Sequence, residues 1–141
     1  MIKRKPNRSK KPAPKKPSRS KIVQKLDTVF SLYIRTKHAK NGVCTCCTCG
    51  RKFEIKKIQA GHFQSRKHYS TRWDERNVEV QCNACNVFRY GEQYKFSIYL
   101  GKELSDELYL KSHQTVKFSN IDLQDMIDVY KEKLINLGKT N

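Results

Sequence analysis

The chain has 141 residues, enough for one domain with appendages, and carries 30 Lys and Arg against 13 Asp and Glu, a net charge of +17. Such a field favours polyanions, of which nucleic acid is the commonest, with an anionic membrane surface or plain solubility as the bland alternatives. No apolar run approaches the roughly 20 residues that span a bilayer, and no apolar core follows the basic N-terminus as in a secretory signal. The expected location is therefore the cytoplasm, where disulfides are rare and paired Cys-x-x-Cys spacings point to metal or redox chemistry.

In chain order, residues 1–20 hold nine Lys or Arg, no acid and all four prolines. That composition cannot build a core and predicts a disordered basic arm lying on phosphates or serving as a solubilising tail. The remaining 21–141 still carry +8, so the arm does not account for all of the charge. From Lys21 to about Lys40, Ile22, Leu26, Val29, Phe30, Tyr33 and Ile34 recur every three or four positions, which predicts an amphipathic helix stopped by Asn41-Gly42. A module over 43–100 follows, with short β-prone pieces at "KFEI" and "VEV" and a helix starting near Cys82 and running past Gly91. Over 101–138 the reading is a helical tail: a short helix, Ser105 to Ser112, after a break at Gly101, then a last helix. A capping box at Ser119 to Asp122 opens that helix, and its stripe of Leu123, Met126, Ile127, Tyr130, Leu134 and Leu137 ends before Gly138. No internal repeat is visible.

Two Cys-x-x-Cys pairs are a strong signal for tetrahedral zinc, because four thiolates saturate a structural site. Six cysteines leave the register open, since Cys44/Cys47 and Cys46/Cys49 are both correctly spaced. Gly50 allows the tight turn of a knuckle and favours Cys46 and Cys49, paired with Cys82 and Cys85, which leaves Cys44 and Cys47 as spare thiols. A redox-active pair is the rival, but no thioredoxin-like βαβ pattern accompanies it. The long spacer between the pairs must itself fold, most simply as a β-hairpin carrying His62 and Asn77. His38, His68 and His113 read as structural or incidental. Trp73 reads as core more readily than as a base-stacking residue.

The combination Cys46-x-x-Cys49-Gly50, Ala60-Gly61-His62-Phe63, Glu75-Arg76-Asn77 and Cys82-x-x-Cys85-Asn86 resembles the NinG/Rap recombination nucleases of phages, members of the HNH (ββα-metal, treble-clef) superfamily. The resemblance covers residues 21–138. It implies an α+β domain, a zinc-stapled treble-clef module flanked by N- and C-terminal helices, acting as a metal-dependent endonuclease on branched recombination intermediates such as the Holliday junction. His62 stands where these enzymes keep the base that activates water, and an ordinary imidazole, titrating near 6.5, would make activity rise through roughly pH 6–7. Asn77 matches the asparagine that pins the hairpin and orients the histidine. Asn86 matches the metal-binding asparagine of the similar phage endonuclease VII, where a divalent ion, Mg2+ or Mn2+, steadies the phosphorane and the leaving oxygen.

The sequence departs from the family at Gly61, where many members place a metal-binding Asp or His. Asp74 is the nearest carboxylate in the insert and the candidate substitute, its alternative being a surface ion pair with Arg72 or Arg76. Arg66, Lys67, Arg72, Arg76 and Arg89 are the expected phosphate contacts, which position DNA without reading its sequence. The implied partners are branched DNA, a second copy of the chain, since junction nucleases often cut as dimers, and other phage recombination proteins in the bacterial host. A non-catalytic zinc DNA-binding protein is the alternative. An RNA binder is disfavoured because no aromatic stacking platform is legible.

Overall fold

The computed structural model describes residues 11–140. The predicted arm falls partly outside that range: residues 11–18 are exposed without regular structure, and helix α1 already begins at Arg19. The Ser18 side chain accepts from the Lys21 N–H and opens α1 (Arg19–His38), whose buried face is Ile22, Leu26, Phe30, Tyr33 and Ile34. The helix stops at His38, before the expected Asn41-Gly42. Those two residues take left-handed φ values of 52° and 74° and close a tight turn in which Lys40 and Val43 exchange backbone hydrogen bonds. An Asn-Gly pair at two positive-φ positions is a hairpin signal, and here that preference prevails over helix termination.

Strand β1 (Val43–Thr45) pairs antiparallel with β2 (Lys52–Glu54), and the loop between them is the knuckle: the Cys46 N–H donates to Arg51 O, the Gly50 N–H donates to Cys46 O, and Gly50 sits at φ 73°. A second antiparallel pair, β3 (Ile58–His62) and β4 (Val78–Cys82), runs in register from Ile58 opposite Cys82 to His62 opposite Val78. Between them lie the one-turn helix α2 (Tyr69–Arg72) and a 3-10 turn, Glu75–Asn77. Val78, Val80 and Cys82 lie on one face of the hairpin, within the apolar cluster that includes the buried stripe of α1.

After Cys82 the expected continuous helix is broken. A π-helical turn, Ala84–Phe88, ends in three successive left-handed residues, Tyr90, Gly91 and Glu92, before α3 (Gln93–Leu100) begins. Gly101 at φ 88° separates α3 from α4, which runs Lys102–Ser112 and so starts three residues earlier than the sequence suggested. The capping box at Ser119 forms: Ser119 N–H and Oγ donate to Asp122 Oδ2 at 2.7 and 2.8 Å, and the Asp122 N–H returns to Ser119 Oγ at 3.1 Å. Helix α5 (Asn120–Thr140) then continues through Gly138 rather than ending before it.

Helices α1 and α5 lie parallel. Arg19 bonds Asn120 where each begins, Phe30 and Tyr33 meet Tyr130 at 4.9 and 5.2 Å between ring centres, and Lys37 and Lys133 converge on Glu75 at the far end. This core is joined by Trp73, Leu123 and Ile127. A smaller cluster, Phe63, Phe96 and Leu108, seats α3 and α4. The molecule is thus a small mixed α+β domain with two short antiparallel sheets, and none of its described helices is long and apolar enough to cross a membrane.

Candidate functional site

The two hairpins bring four thiols together. The Sγ atoms of Cys46, Cys49, Cys82 and Cys85 all lie within 4.8 Å of one another, and those of Cys49 and Cys82 are 3.8 Å apart. A tetrahedral zinc with Zn–S bonds of about 2.3 Å separates its sulfurs by about 3.8 Å, so the cluster has the dimensions of such a site. The protein also supplies donors to the sulfurs: the Cys82 N–H to Cys46 Sγ at 3.3 Å and Arg89 Nη1 to Cys85 Sγ at 3.9 Å. Burial opposes ionisation of Cys46, yet hydrogen bonds from Thr48 and backbone N–H groups bring its thiol down to about 6. Burial, with the neighbouring Cys46 charge, pushes Cys82 up to about 12. One thiolate thus suppresses the next, a conflict that a divalent cation resolves. The four thiols can hold a metal ion such as zinc.

The register is therefore Cys46/Cys49. Cys44 is buried on the strand, its Sγ donating to Arg35 O at 3.4 Å, and Cys47 packs with Phe63 and Phe96, where burial pushes its thiol up.

At the other end of β3, His62 faces a cavity of about 970 Å³ lined also by Asp27, Arg35, Gln59, Arg66, Lys67 and Asn86. Its Nε2 lies 2.9 Å from Arg72 O. A carbonyl can only accept, so Nε2 carries the proton and Nδ1 holds the free lone pair. Burial pushes this imidazole down to about 4, although its hydrogen bond to Arg72 favours the charged form. The ring is neutral well below the ordinary range, which corrects the expected titration near 6–7.

Asn77 is wholly buried beside it. Its side chain accepts from the Gln64 N–H at 2.7 Å and donates to Gln64 O at 3.0 Å and Thr71 O at 3.1 Å, while its carbonyl accepts from the Phe63 N–H. These bonds clasp both ends of the segment 63–77 that carries the carbonyl bonded to His62. Asn86 donates to Gln59 Oε1 at 2.7 Å at the cavity edge.

Asp74 is elsewhere. It lines a separate cavity with Trp73, Lys111 and Tyr130, and its carboxylate is taken by Arg76 at 2.9 Å and Lys111 at 2.7 Å. Burial disfavours its charge, but the bonds from Arg76 and Lys111 hold it down at about 2. It is an ion-paired capping residue, not a partner of His62. The space beside Gly61 is also closed: a Cβ there would stand 2.0 Å from Gln81 Oε1, and the buried Gln81 amide is fixed by donating to Gly91 O and Thr48 Oγ1.

The five predicted phosphate contacts divide. Arg66 and Lys67 line the His62 cavity and form no ion pair with an acid among the described residues. Arg72 is committed to Asp27, with Nε and Nη2 on its two oxygens at 3.1 and 2.5 Å. Arg76 is held by Asp74 and Glu107, and Arg89 by Glu92 at 3.8 Å. Trp73 is core, its Nε1 donating to Asp27 at 2.9 Å.

Sequence reasoning missed Asp27. It fixes Arg72, whose carbonyl fixes His62, and it is the one acid in α1, beside the buried Leu26. That solitary negative charge bordering an apolar stripe was the available signal. His68 also lines the cavity, 6.3 Å from His113 between ring centres.

Magnesium or manganese does not fit the donors present as a protein-held ion. Such ions are held by carboxylates together with substrate phosphates. The carboxylate that lines this cavity, Asp27, is engaged by Arg72 and Trp73, and Asn86 offers a single neutral oxygen.

Compared with known proteins, the family model described as Bacteriophage Lambda NinG protein matches residues 1–140. No curated protein and no solved structure matches the chain.

Proposed function

Because the chain belongs to the bacteriophage lambda NinG family, we propose that it is an endonuclease that hydrolyses phosphodiester bonds in branched DNA during phage recombination, in the cytoplasm of the bacterial host. The observation that carries this reading is His62: a neutral imidazole, its Nε2–H anchored on Arg72 O, beside two cations free of acidic partners. In this reading Nδ1 takes a proton from water, and the resulting hydroxide bonds to phosphorus as the in-line P–O3′ bond breaks. The departing 3′-oxygen takes a proton from solvent water to become the 3′-hydroxyl. Arg66 and Lys67 offset the charge that accumulates on the phosphoryl oxygens. Asp27 holds Arg72, and Asn77 holds the same segment, so that the imidazole stays aimed. Zinc on the four cysteines would staple the knuckle to β4 in the manner of a treble clef, with no part in the reaction.

Dependence on magnesium or manganese belongs to this proposal by resemblance alone, with Asn86 its remaining candidate ligand. The same lack of an available carboxylate favours a second reading, a zinc-stabilised DNA-binding protein without catalysis. Labelled three- and four-way junctions incubated with magnesium, with manganese and with chelator separate the two. Cleavage by the wild type, lost at least about a hundredfold in His62→Ala with binding retained, is expected for a positioned base. Absence of cleavage under every condition sinks the nuclease reading in favour of the binder.

A further inference from the structure

The His62 cavity has two unlike walls. One, from the segment after β3, presents Arg66 and Lys67; the other, from the turn after the thiol cluster, presents Val87 and Tyr90. Within that turn and the start of α3, Phe88, Tyr90 and Tyr94 are 73%, 89% and 78% exposed. Large aromatic side chains left this far in water mark contact surfaces. Tyr90 also sits at φ 53°, followed by Gly91 at 84° and Glu92 at 48°. A bulky residue in the left-handed region is costly, and such strain persists only where neighbouring structure enforces it. Here it is enforced: the Gly91 N–H donates to Cys85 O, Gly91 O accepts from the buried Gln81 amide at 2.9 Å, and Arg89 O accepts from the Glu92 N–H. The turn therefore fixes the backbone from which an exposed aromatic ring projects at the lip of the cavity.

We infer that Tyr90, with Phe88 and Tyr94 beside it in sequence, stacks against unpaired nucleobases of a nucleic acid whose phosphates lie on the Arg66–Lys67 wall. This rests on the nucleic-acid part of the function proposed above and specifies what the site discriminates. Cations on one wall and aromatic faces on the other match a nucleotide out of its helix, which offers phosphate and a bare base face together. A fully paired duplex offers phosphates, but its base faces are already stacked. The net charge of +17 makes a polyanion, rather than a second copy of an equally cationic chain, the complementary occupant.

The test is equilibrium binding in chelator, so that it is independent of cleavage, using a forked DNA with unpaired arms and a blunt duplex of equal phosphate count. Tyr90→Asn removes the ring while placing a residue that tolerates positive φ, so the fold is kept. It should weaken fork binding about tenfold, the scale of one lost base stack, and leave duplex binding unchanged, whereas Tyr90→Phe should retain the preference. Equal losses on fork and duplex, or no loss on either, overturn the inference. So does sedimentation in which Tyr90→Asn converts a dimer to monomers, which would make this face a self-interface. A fork preference in a protein that cuts nothing would uphold the stacking site and defeat the nuclease reading alone.

Discussion

The β3–β4 hairpin carries two chemistries at its two ends, separated by five residues of register. At the Ile58/Cys82 end, four side chains converge on one point and compete to be charged, an arrangement that can hold a metal ion such as zinc. At the His62/Val78 end nothing converges: a neutral ring, neutral amides and a spent ion pair hold one another in place by hydrogen bonds. One end gathers four ligands that can hold an ion, the other keeps a lone pair uncharged and aimed. Each can be broken without touching the other.

The largest effect should come from the thiol end. Structural zinc contributes on the order of 10 kcal/mol to small modules, so Cys82→Ser should abolish the folded module and its bound metal, read by melting and elemental analysis. Cys44→Ser, outside the cluster, should retain both; an equal loss there would mean that the wrong pair has been assigned. At the imidazole end, Asn77→Ala strips three hydrogen bonds from buried groups and should cost roughly 3 kcal/mol in denaturant melts, with metal content unchanged. Loss of metal in that variant would show that the two ends are not independent. Asp27→Asn should cost less, about 2 kcal/mol, because the Arg72 pair is only partly buried, but it should also slow any cleavage by loosening the carbonyl that anchors His62.

Acid sharpens the contrast further. The folded-state value of His62, about 4, lies below that of a free imidazole, so the unfolded chain binds the proton more readily. Stability from this residue is therefore fully present above about 6.5 and is lost as pH falls towards 4. An NMR titration of the ring should find its midpoint near 4, and cleavage should show no imidazole inflection at pH 6–7; a midpoint near 6.5 would contradict the burial described. Gly61→Ala must displace the Gln81 amide and should cost about 1 kcal/mol, the low end for overpacking and the smallest of these effects, partly recovered by Gln81→Ala. Simple additivity of the two changes would deny their contact.

What was legible beforehand was local. The α1 and α5 stripes, the Ser119 capping box and the thiol register all follow from spacings of a few residues, and each is present in the fold. What escaped needed the third dimension. Asp74 lies near His62 in sequence, yet the 3-10 turn that it caps directs it to Arg76 and Lys111. Arg72 counts as one more cation until Asp27, 45 positions earlier, claims it. The break at Tyr90 was invisible because Tyr and Glu at positive φ carry no compositional flag, unlike Asn41-Gly42, whose residue types gave a signal that was then assigned to the wrong structure.

The parallel packing of α1 on α5 has a consequence for the order in which the chain becomes whole. Phe30 waits for Tyr130, about a hundred residues later, which at bacterial synthesis speeds is roughly 5–20 s. Once Cys85 has been made, in the later part of that interval, the four cysteines can already gather, whereas one flank of α1, the helix that supplies Asp27, stays bare to the cell. Contacts so distant in sequence also slow refolding. Docking of α5 is thereby the step that covers the apolar flank of α1.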